Sequence, residues 1–221
     1  MDGNGRWAQM RGMERVQGHK EGAKSVRACA ETAVREGVKY LSVFAFSEEN
    51  WARPESEVDF LMKLMAKSLK DEVSTLMDNN VRFRVIGNRE RLGAALNAAI
   101  TGLEKMTAAN TAMTLIVFLS YSGKWDILQA ARRMAADMAR DPSAVFGESE
   151  FSNYLATAGI PDPDLVIRTS GEQRLSNYLL WQAAYSEFYF TTELWPDFKE
   201  ESFMKALEEY RRRDRRYGKV K

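Results

Sequence analysis

The sequence predicts an α/β fold: one mainly parallel central sheet flanked by helices on both faces. Three observations carry that expectation. Short apolar runs alternate with longer amphipathic stretches along the chain. The apolar runs, such as YLSVFAF and MTLIVFL, are hydrophobic at consecutive positions, as strands buried on both faces are. No internal repeat, low-complexity tract or long linker interrupts the 221 residues, so residues 1–221 are read as a single domain. That length buries a sizeable core without staples.

The elements follow in order. His19 to Glu36 carries small and apolar residues at Ala23, Val26, Ala30 and Val34 and stops at Gly37, which predicts a helix. Tyr40 to Phe46 is the first strand. Glu55 to Asn79 is predicted as one long amphipathic helix started by Pro54, with Val58, Leu61, Met62, Met65, Leu69, Val73 and Leu76 at helical spacing. Val81 to Ile86 is a strand ended by Gly87. Glu90 to Met106 reads as a helix despite Gly93 and Gly102. Met113 to Leu119 is a strand, Trp125 to Arg140 a helix halted before Pro142, and Phe151 to Ala158 a short helix. Asp164 to Arg168 and Glu187 to Thr191 are strands, and Glu200 to Arg216 closes the chain as a helix. This alternation implies right-handed crossovers between parallel strands. Ligands bind such sheets beyond the carboxyl ends of the strands. The rule nominates Ser47 to Pro54, Gly87 to Arg91, Ser120 to Lys124 and Thr169 to Asn177.

Composition narrows the class. Hydrophobic residues make up 45% and charged residues 29%, with a net charge of +1, so bulk electrostatics do not call for a nucleic-acid partner. The single cysteine, Cys29, excludes an internal disulfide, fits a reducing compartment and lies in an apolar helical pattern as an inert thiol. No stretch approaches the roughly 20 apolar residues of a membrane span, and no signal peptide is recognisable. A cytoplasmic enzyme or binding protein is expected.

Three clusters stand out. The first is MDGNGRWA at the start of the chain. By letter it matches a dinucleotide fingerprint, but no strand precedes it, Arg6 and Trp7 are bulky for that turn, and Gly12 and Gly18 are expected to continue a loop. Two readings remain: a plain glycine turn, or an anion nest in which backbone N–H groups and the Arg6 fork meet phosphate oxygens. In the second, Asp2 is placed to hold a metal ion bridging those phosphates. The second cluster, SEENWARP, brings Ser47, Glu48, Glu49, Asn50, Trp51 and Arg53 together after a strand. Acids suit a helix start, but that does not account for Trp51 beside Asn50 and Arg53. The third, RTSGEQRLSN, offers Arg168, Arg174, Ser170 and Ser176, again after a strand. It is either a solvated loop or a second diphosphate clamp.

Together MDGNGRWA, GHKEG, FAFSEENWARP, DLVIRTSGEQRLSNYLLWQ and ELWPDF resemble the cis-prenyltransferase family, in order and over essentially the whole chain. The resemblance implies a Mg2+-dependent enzyme that condenses isopentenyl diphosphate onto an allylic diphosphate such as farnesyl diphosphate. The allylic C1–O bond breaks and diphosphate leaves. The isopentenyl double bond attacks C1, a proton is lost, and a Z double bond forms. Repetition lengthens the product inside an apolar tunnel. By resemblance, Asp2 is catalytic and binds the metal, with Glu187 as a second carboxylate. Gly3, Asn4, Gly5, Arg6, Arg15 and His19 grip the allylic diphosphate, and Ser47, Glu48, Glu49 and Arg53 complete that site. His19 also reads as an ordinary polar residue at a helix start. Asn50 orients the reacting groups and relays the proton; an amide is too weak a base to act alone. Trp7, Phe46 and Trp51 pack on the prenyl chain, and the Met and Leu stripe of residues 55–79 is either core or tunnel wall. Arg168, Arg174, Leu175 and Ser176 bind isopentenyl diphosphate. Arg216 and Gly218 match a family R-x-G that crosses a homodimer, although composition alone reads RRRDRRYG as a solvated basic tail. Peripheral membrane contact is expected for release of a greasy product.

Three departures bear on these expectations. The family places an apolar strand just before the first motif, and this sequence starts at the motif itself, so an exposed sheet edge and a loosely held Asp2 are expected. The family's N-Y-G-G-R stretch reads Ser120, Tyr121, Ser122, Gly123 and Lys124, with lysine in place of a bidentate fork. Gln173 stands where a histidine is often found. Two competing readings remain. A non-catalytic partner subunit of the same fold is expected to have lost motif residues, which are present here. A nucleotide-binding oxidoreductase requires dinucleotide affinity.

Overall fold

The structure, a computed structural model, describes residues 1–141, 143, 145 and 147–214. Five strands form, all in parallel pairs: β1 (Tyr40–Ser47), β2 (Val81–Ile86), β3 (Met113–Tyr121), β4 (Leu165–Arg168) and β5 (Glu187–Phe190). Eight helices accompany them among the described residues: α1 (Asn4–Gln9), α2 (Arg15–Arg35), α3 (Glu55–Asp71), α4 (Val73–Asp78), α5 (Ala94–Met106), α6 (Gly123–Arg140), α7 (Glu148–Ser152) and α8 (Glu200–Arg211). Strand β3 shows why both faces are covered. Leu115, Val117 and Leu119 enter one apolar cluster with Cys29, Ile100 and Phe203, while Ile116 and Phe118 enter another with Leu179 and Ala183. Successive side chains point to opposite faces, so a strand apolar at every position requires a core on each side. Burial pushes the Cys29 thiol up to about 12, consistent with an inert core residue.

The strands are hydrogen-bonded as two groups, β1-β3-β2 and β4-β5, and not as the one continuous ladder expected. Every residue of β1 and of β4 lines the same large cavity. Each of these two strands is paired on one side only, β1 with β3 and β4 with β5, so each keeps an unpaired edge.

Several boundaries differ from expectation. The loop predicted through Gly12 and Gly18 is a helix, a turn and a second helix, with Gly18 inside α2. The glycines serve packing: a Cβ at Gly18 would lie 1.9 Å from the Asn4 carbonyl oxygen, and one at Gly22 would lie 2.2 Å from Asn4 Oδ1. Residues 55–79 are two helices broken at Glu72, whose carboxylate is gripped by Arg27 of α2 through bonds of 2.7–3.2 Å. No glycine or proline marks that break. The predicted 90–106 helix divides into a 3-10 turn, Arg89–Arg91, and α5, with Gly93 extended between them. The predicted 151–158 helix is instead α7, ending at Ser152. Beyond it, Asp126 accepts from Ala156 N at 2.7 Å and Gln129 donates to Tyr154 O at 3.1 Å, so side chains of α6 take up backbone groups there. α8 ends at Arg211. Arg216 and Gly218 lie outside the described residues.

Substituting Gly18→Ala should cost about 2–3 kcal/mol, because the clash is with backbone that cannot rotate away. Gly12→Ala, at φ 66 with no atom within 4 Å of the added Cβ, is the control. It should cost only about 1 kcal/mol of backbone strain. Urea unfolding of the two variants checks the difference.

Candidate active site

The cavity measures about 1190 Å³, above the usual range of small-molecule pockets. Its wall includes Val26, Ala30, Leu61, Met62, Met65 and Leu69 from α2 and α3, so part of the Met and Leu stripe lines the cavity as well as packing on the core. At its mouth the three sequence clusters meet.

Asp2 is held by its backbone and its side chain. Its N–H donates to Thr169 Oγ1 at 3.0 Å, and the Thr169 hydroxyl donates to Asp2 O at 2.9 Å. Trp195 N donates to the same carbonyl at 3.0 Å. The Asp2 carboxylate accepts from Gly3 N at 2.8 Å and from Arg168 Nη2 at 3.1 Å. The loosely held Asp2 expected from the sequence is thus anchored by the segments after β4 and β5. Arg168 also donates to Ser176 Oγ at 2.8 Å and to the Arg174 carbonyl. One guanidinium therefore ties the first cluster to the third and shapes the loop that carries Arg174, Leu175 and Ser176. That loop is tightly turned, with Ser170, Ser176 and Asn177 at φ 82, 49 and 63.

The remaining arginines share carboxylates. Arg6 donates to Ser170 O at 3.2 Å, to Ser170 Oγ and to Glu172 Oε1 at 3.2 Å, while Arg174 holds the other oxygen of Glu172. Arg53 donates to Glu57 Oε1 at 3.1 Å, and Arg15 lies 3.8 Å from the same atom. His19 sits among them. Desolvation, then the Arg53 charge, lowers its pKa from 6.5 to about 4, so the ring is neutral near pH 7. Among the described residues, His19 Nε2 and Asn4 Oδ1 are the buried side-chain polar atoms without a hydrogen-bond partner. Both residues line the cavity. A buried polar atom left unpaired costs about 1–3 kcal/mol and asks for a reason.

The second cluster forms a 3-10 turn, Glu48–Ala52, after β1. Ser47 N donates to Asn50 Oδ1 at 3.1 Å. This fixes the carboxamide oxygen toward the backbone and leaves Nδ2 as the group to present, which favours a positioner over a proton acceptor. Ser47, Asn50 and Arg53 line the cavity, as do Gly3, Asn4, Gly5, Arg6, Arg15, His19, Arg168, Arg174, Leu175 and Ser176.

Other expected residues stand apart from the cavity wall. The Trp7 indole donates to Asp197 at 2.7 Å. Trp51 packs edge-on behind Phe46 at 5.0 Å, and it is Phe46 that lines the cavity. The Glu48 carboxylate is taken by Arg91 and Ser120, and that of Glu49 accepts from Asn177 at 2.6 Å. Glu187 is placed away from Asp2. It begins β5, paired with Leu165, three residues before Arg168, so about 10 Å of strand separates it from the rim. Its carboxylate accepts from Arg213 at 3.0 Å. Within one chain the two predicted metal carboxylates do not come together.

Thr169, Trp195, Glu57, Glu172 and Asn177 were not singled out from the sequence as individual site residues. Glu57 had a local signal, in the first turn of the predicted helix and four residues after Arg53. Trp195 lay in ELWPDF, one of the motifs that carry the resemblance, but its contact with Asp2 had no local signal because the two are remote in sequence.

A fit for magnesium is limited to one carboxylate. Among the described residues no three His, Cys, Asp or Glu side chains form a metal cluster. Magnesium commonly takes one or two carboxylates and completes its shell with substrate phosphates and water, and Asp2 at the rim suits that arrangement.

Known proteins with the same pattern share the whole chain. A family model described as putative undecaprenyl diphosphate synthase matches residues 1–218. A ditrans,polycis-undecaprenyl-diphosphate synthase ((2E,6E)-farnesyl-diphosphate specific) of Coxiella burnetii is 52% identical over 220 residues, covering 99% of this chain and 93% of that protein. An isoprenyl transferase of Geobacter sulfurreducens is 48% identical, covering 100% and 90%. Among solved structures, lavandulyl diphosphate synthase from Lavandula x intermedia, in complex with dimethylallyl diphosphate, superposes with a TM-score of 0.95 at 38% identity, covering 99% and 95%. A probable undecaprenyl diphosphate synthase from Campylobacter jejuni gives 0.80 at 34%, covering 90% and 93%. A family match over residues 1–218, and 52% identity to a relative across nearly the full length of both, show that the chain belongs to the undecaprenyl diphosphate synthase family of prenyltransferases.

Proposed function

We propose that this chain condenses isopentenyl diphosphate onto farnesyl diphosphate and repeats the addition to make a long Z-polyprenyl diphosphate, undecaprenyl diphosphate by likeness to its relatives. The observation that carries this reading is the convergence of five cavity-lining arginines, Arg6, Arg15, Arg53, Arg168 and Arg174, with one unpaired buried group able to donate, His19 Nε2, beside an apolar cavity wall. Such a rim is suited to ligands that are anionic at one end and hydrocarbon at the other.

In this reading Arg6, Arg15 and His19, with the backbone from Gly3 to Arg6, receive the allylic diphosphate. Its prenyl tail enters between α2 and α3. Each buried methylene stabilises the growing chain by about 0.8 kcal/mol. Neutral His19 donates through Nε2–H and so satisfies its orphaned atom. Arg168, Arg174 and Ser176 hold the diphosphate of isopentenyl diphosphate, with the Leu175 side chain against its hydrocarbon. Asn50, fixed by Ser47, orients the reacting ends through Nδ2. Bound magnesium, held by Asp2 and diphosphate oxygens, would supply charge neutralisation for the leaving group. Arg6 and the neighbouring N–H groups stabilise the charge that develops as the C1–O bond breaks. Trp51 acts by supporting Phe46, and Glu48 and Glu49 by holding their loop.

The reading includes a homodimer. Glu187, remote from Asp2 in its own chain, would meet a metal-bound diphosphate only across such an interface, where Arg216 and Gly218 would also reach. No helix of the described residues is long and apolar enough to cross a membrane. Product release through peripheral membrane contact belongs to the same reading.

Incubation with farnesyl diphosphate, labelled isopentenyl diphosphate and Mg2+ should give an extractable polyprenyl product, whose chromatography reports chain length. Folded protein that makes none would refute the reading. Asp2→Ala should lower turnover at least ~100-fold. Its unfolding free energy should change by only about 1 kcal/mol, because backbone contacts carry much of the anchoring and the lost ion pair is partly solvated. Acid stability provides another check. The native ring resists protonation down to about pH 4, whereas the unfolded ring takes its proton near 6.5. Stability should therefore fall as pH drops through that window, and His19→Gln should flatten the fall in urea midpoint.

A further inference from the structure

The turn that carries Asn50 is gripped by two residues that do not line the cavity, Arg91 of the 3-10 turn after β2 and Ser120 near the end of β3. Arg91 Nη1 donates to Glu48 Oε2 at 2.6 Å, and its guanidinium lies over the Trp51 ring, 4.7 Å from the centroid. Ser120 donates to the other Glu48 oxygen and accepts from Trp51 Nε1 at 2.9 Å. Glu48 and Trp51 flank Asn50 in the same 3-10 turn. The grip is itself well founded. Ser120 sits at φ 53, where the β1–β3 register shifts between Phe46 and Ser47, and that irregularity aims its hydroxyl at the turn. Arg91 follows Arg89, which is locked onto α5 by bonds to Asn97, Thr101 and Glu104 of 2.8–3.2 Å.

We propose that Arg91 is a positioning residue for the prenyl-transfer step: it clamps Glu48 and Trp51 so that the turn presents Asn50 to the reacting ends and braces Phe46 in the tunnel wall. This rests on the proposed function. Arg91 is not among the cavity-lining residues, so it acts through the turn and not on the substrate. Ionic pairing and stacking use different parts of the guanidinium. Lysine would keep the charge and lose the flat face.

The test combines kinetics with an optical readout. Arg91→Met should lower kcat roughly tenfold to a hundredfold, as small misplacements of reacting groups do. KM for both diphosphates should stay within about twofold, because ground-state binding is untouched. Arg91→Lys should recover part of the loss. Adding Glu48→Gln to Arg91→Met should cost little more, since both remove one contact. The Trp51 emission, taken as the difference between each protein and its Trp51→Phe partner, should change in Arg91→Met. Unaltered kcat, or unaltered Trp51 emission, would overturn the proposal. So would KM rising in step with a collapse of the unfolding midpoint in both Arg91 variants, which would assign Arg91 to general stability. If the wild-type protein forms no polyprenyl product, the proposed function fails on its own account, and an unchanged Trp51 emission still refutes the clamp.

Discussion

Crowding guanidinium groups at one rim is electrostatically unfavourable unless anions stand between them. The structure meets this constraint by sharing three carboxylates. Asp2 lies between Arg168 and Arg6, Glu57 between Arg15 and Arg53, and Glu172 between Arg6 and Arg174. The rim keeps an excess of positive charge. Several of these pairs are half exposed, and such pairs contribute little each. A diphosphate can therefore displace them at small cost, while the arginines remain oriented for bidentate contact. Pre-organisation here comes from weak, exchangeable pairs and not from rigid isolation of each cation.

Local chemistry made much of this legible in the sequence. Strand β2 is bounded as predicted, and the other strands within two residues, because apolar runs ended by turn residues leave few alternatives. The loops after β1 and β4 were nominated by their position at strand ends, and they do meet. What was hidden depended on remote partners. The break at Glu72 follows from Arg27 on a different helix, and the end of α7 from Asp126 and Gln129 on α6. Trp51 and Glu48 looked like substrate contacts because of their company; the structure gives their polar atoms to Arg91 and Ser120.

The division of the sheet bears on how the cavity is understood. Its lining includes both β1 and β4 and the apolar faces of α2 and α3. The α3 side contributes Met62 and Met65, whose flexible side chains suit a sliding hydrocarbon. Ser42 on β1 bonds Tyr178 at 2.8 Å, and Tyr178 stacks on Phe44 at 4.6 Å. A polar link thus crosses from β1 to the segment after β4 where no strand ladder does.

The close approach of α1 to α2 has a mechanical consequence. Where the Asn4 carbonyl meets Gly18 there is no intervening side chain to swing aside, and the Asn4 carboxamide fills the space beside Gly22. Adjustment there must be a shift of one whole backbone against another. A displacement of Asn4 therefore bears directly on α2, whose Gly22 O accepts from the Trp195 indole of the segment beyond β5 at 2.8 Å.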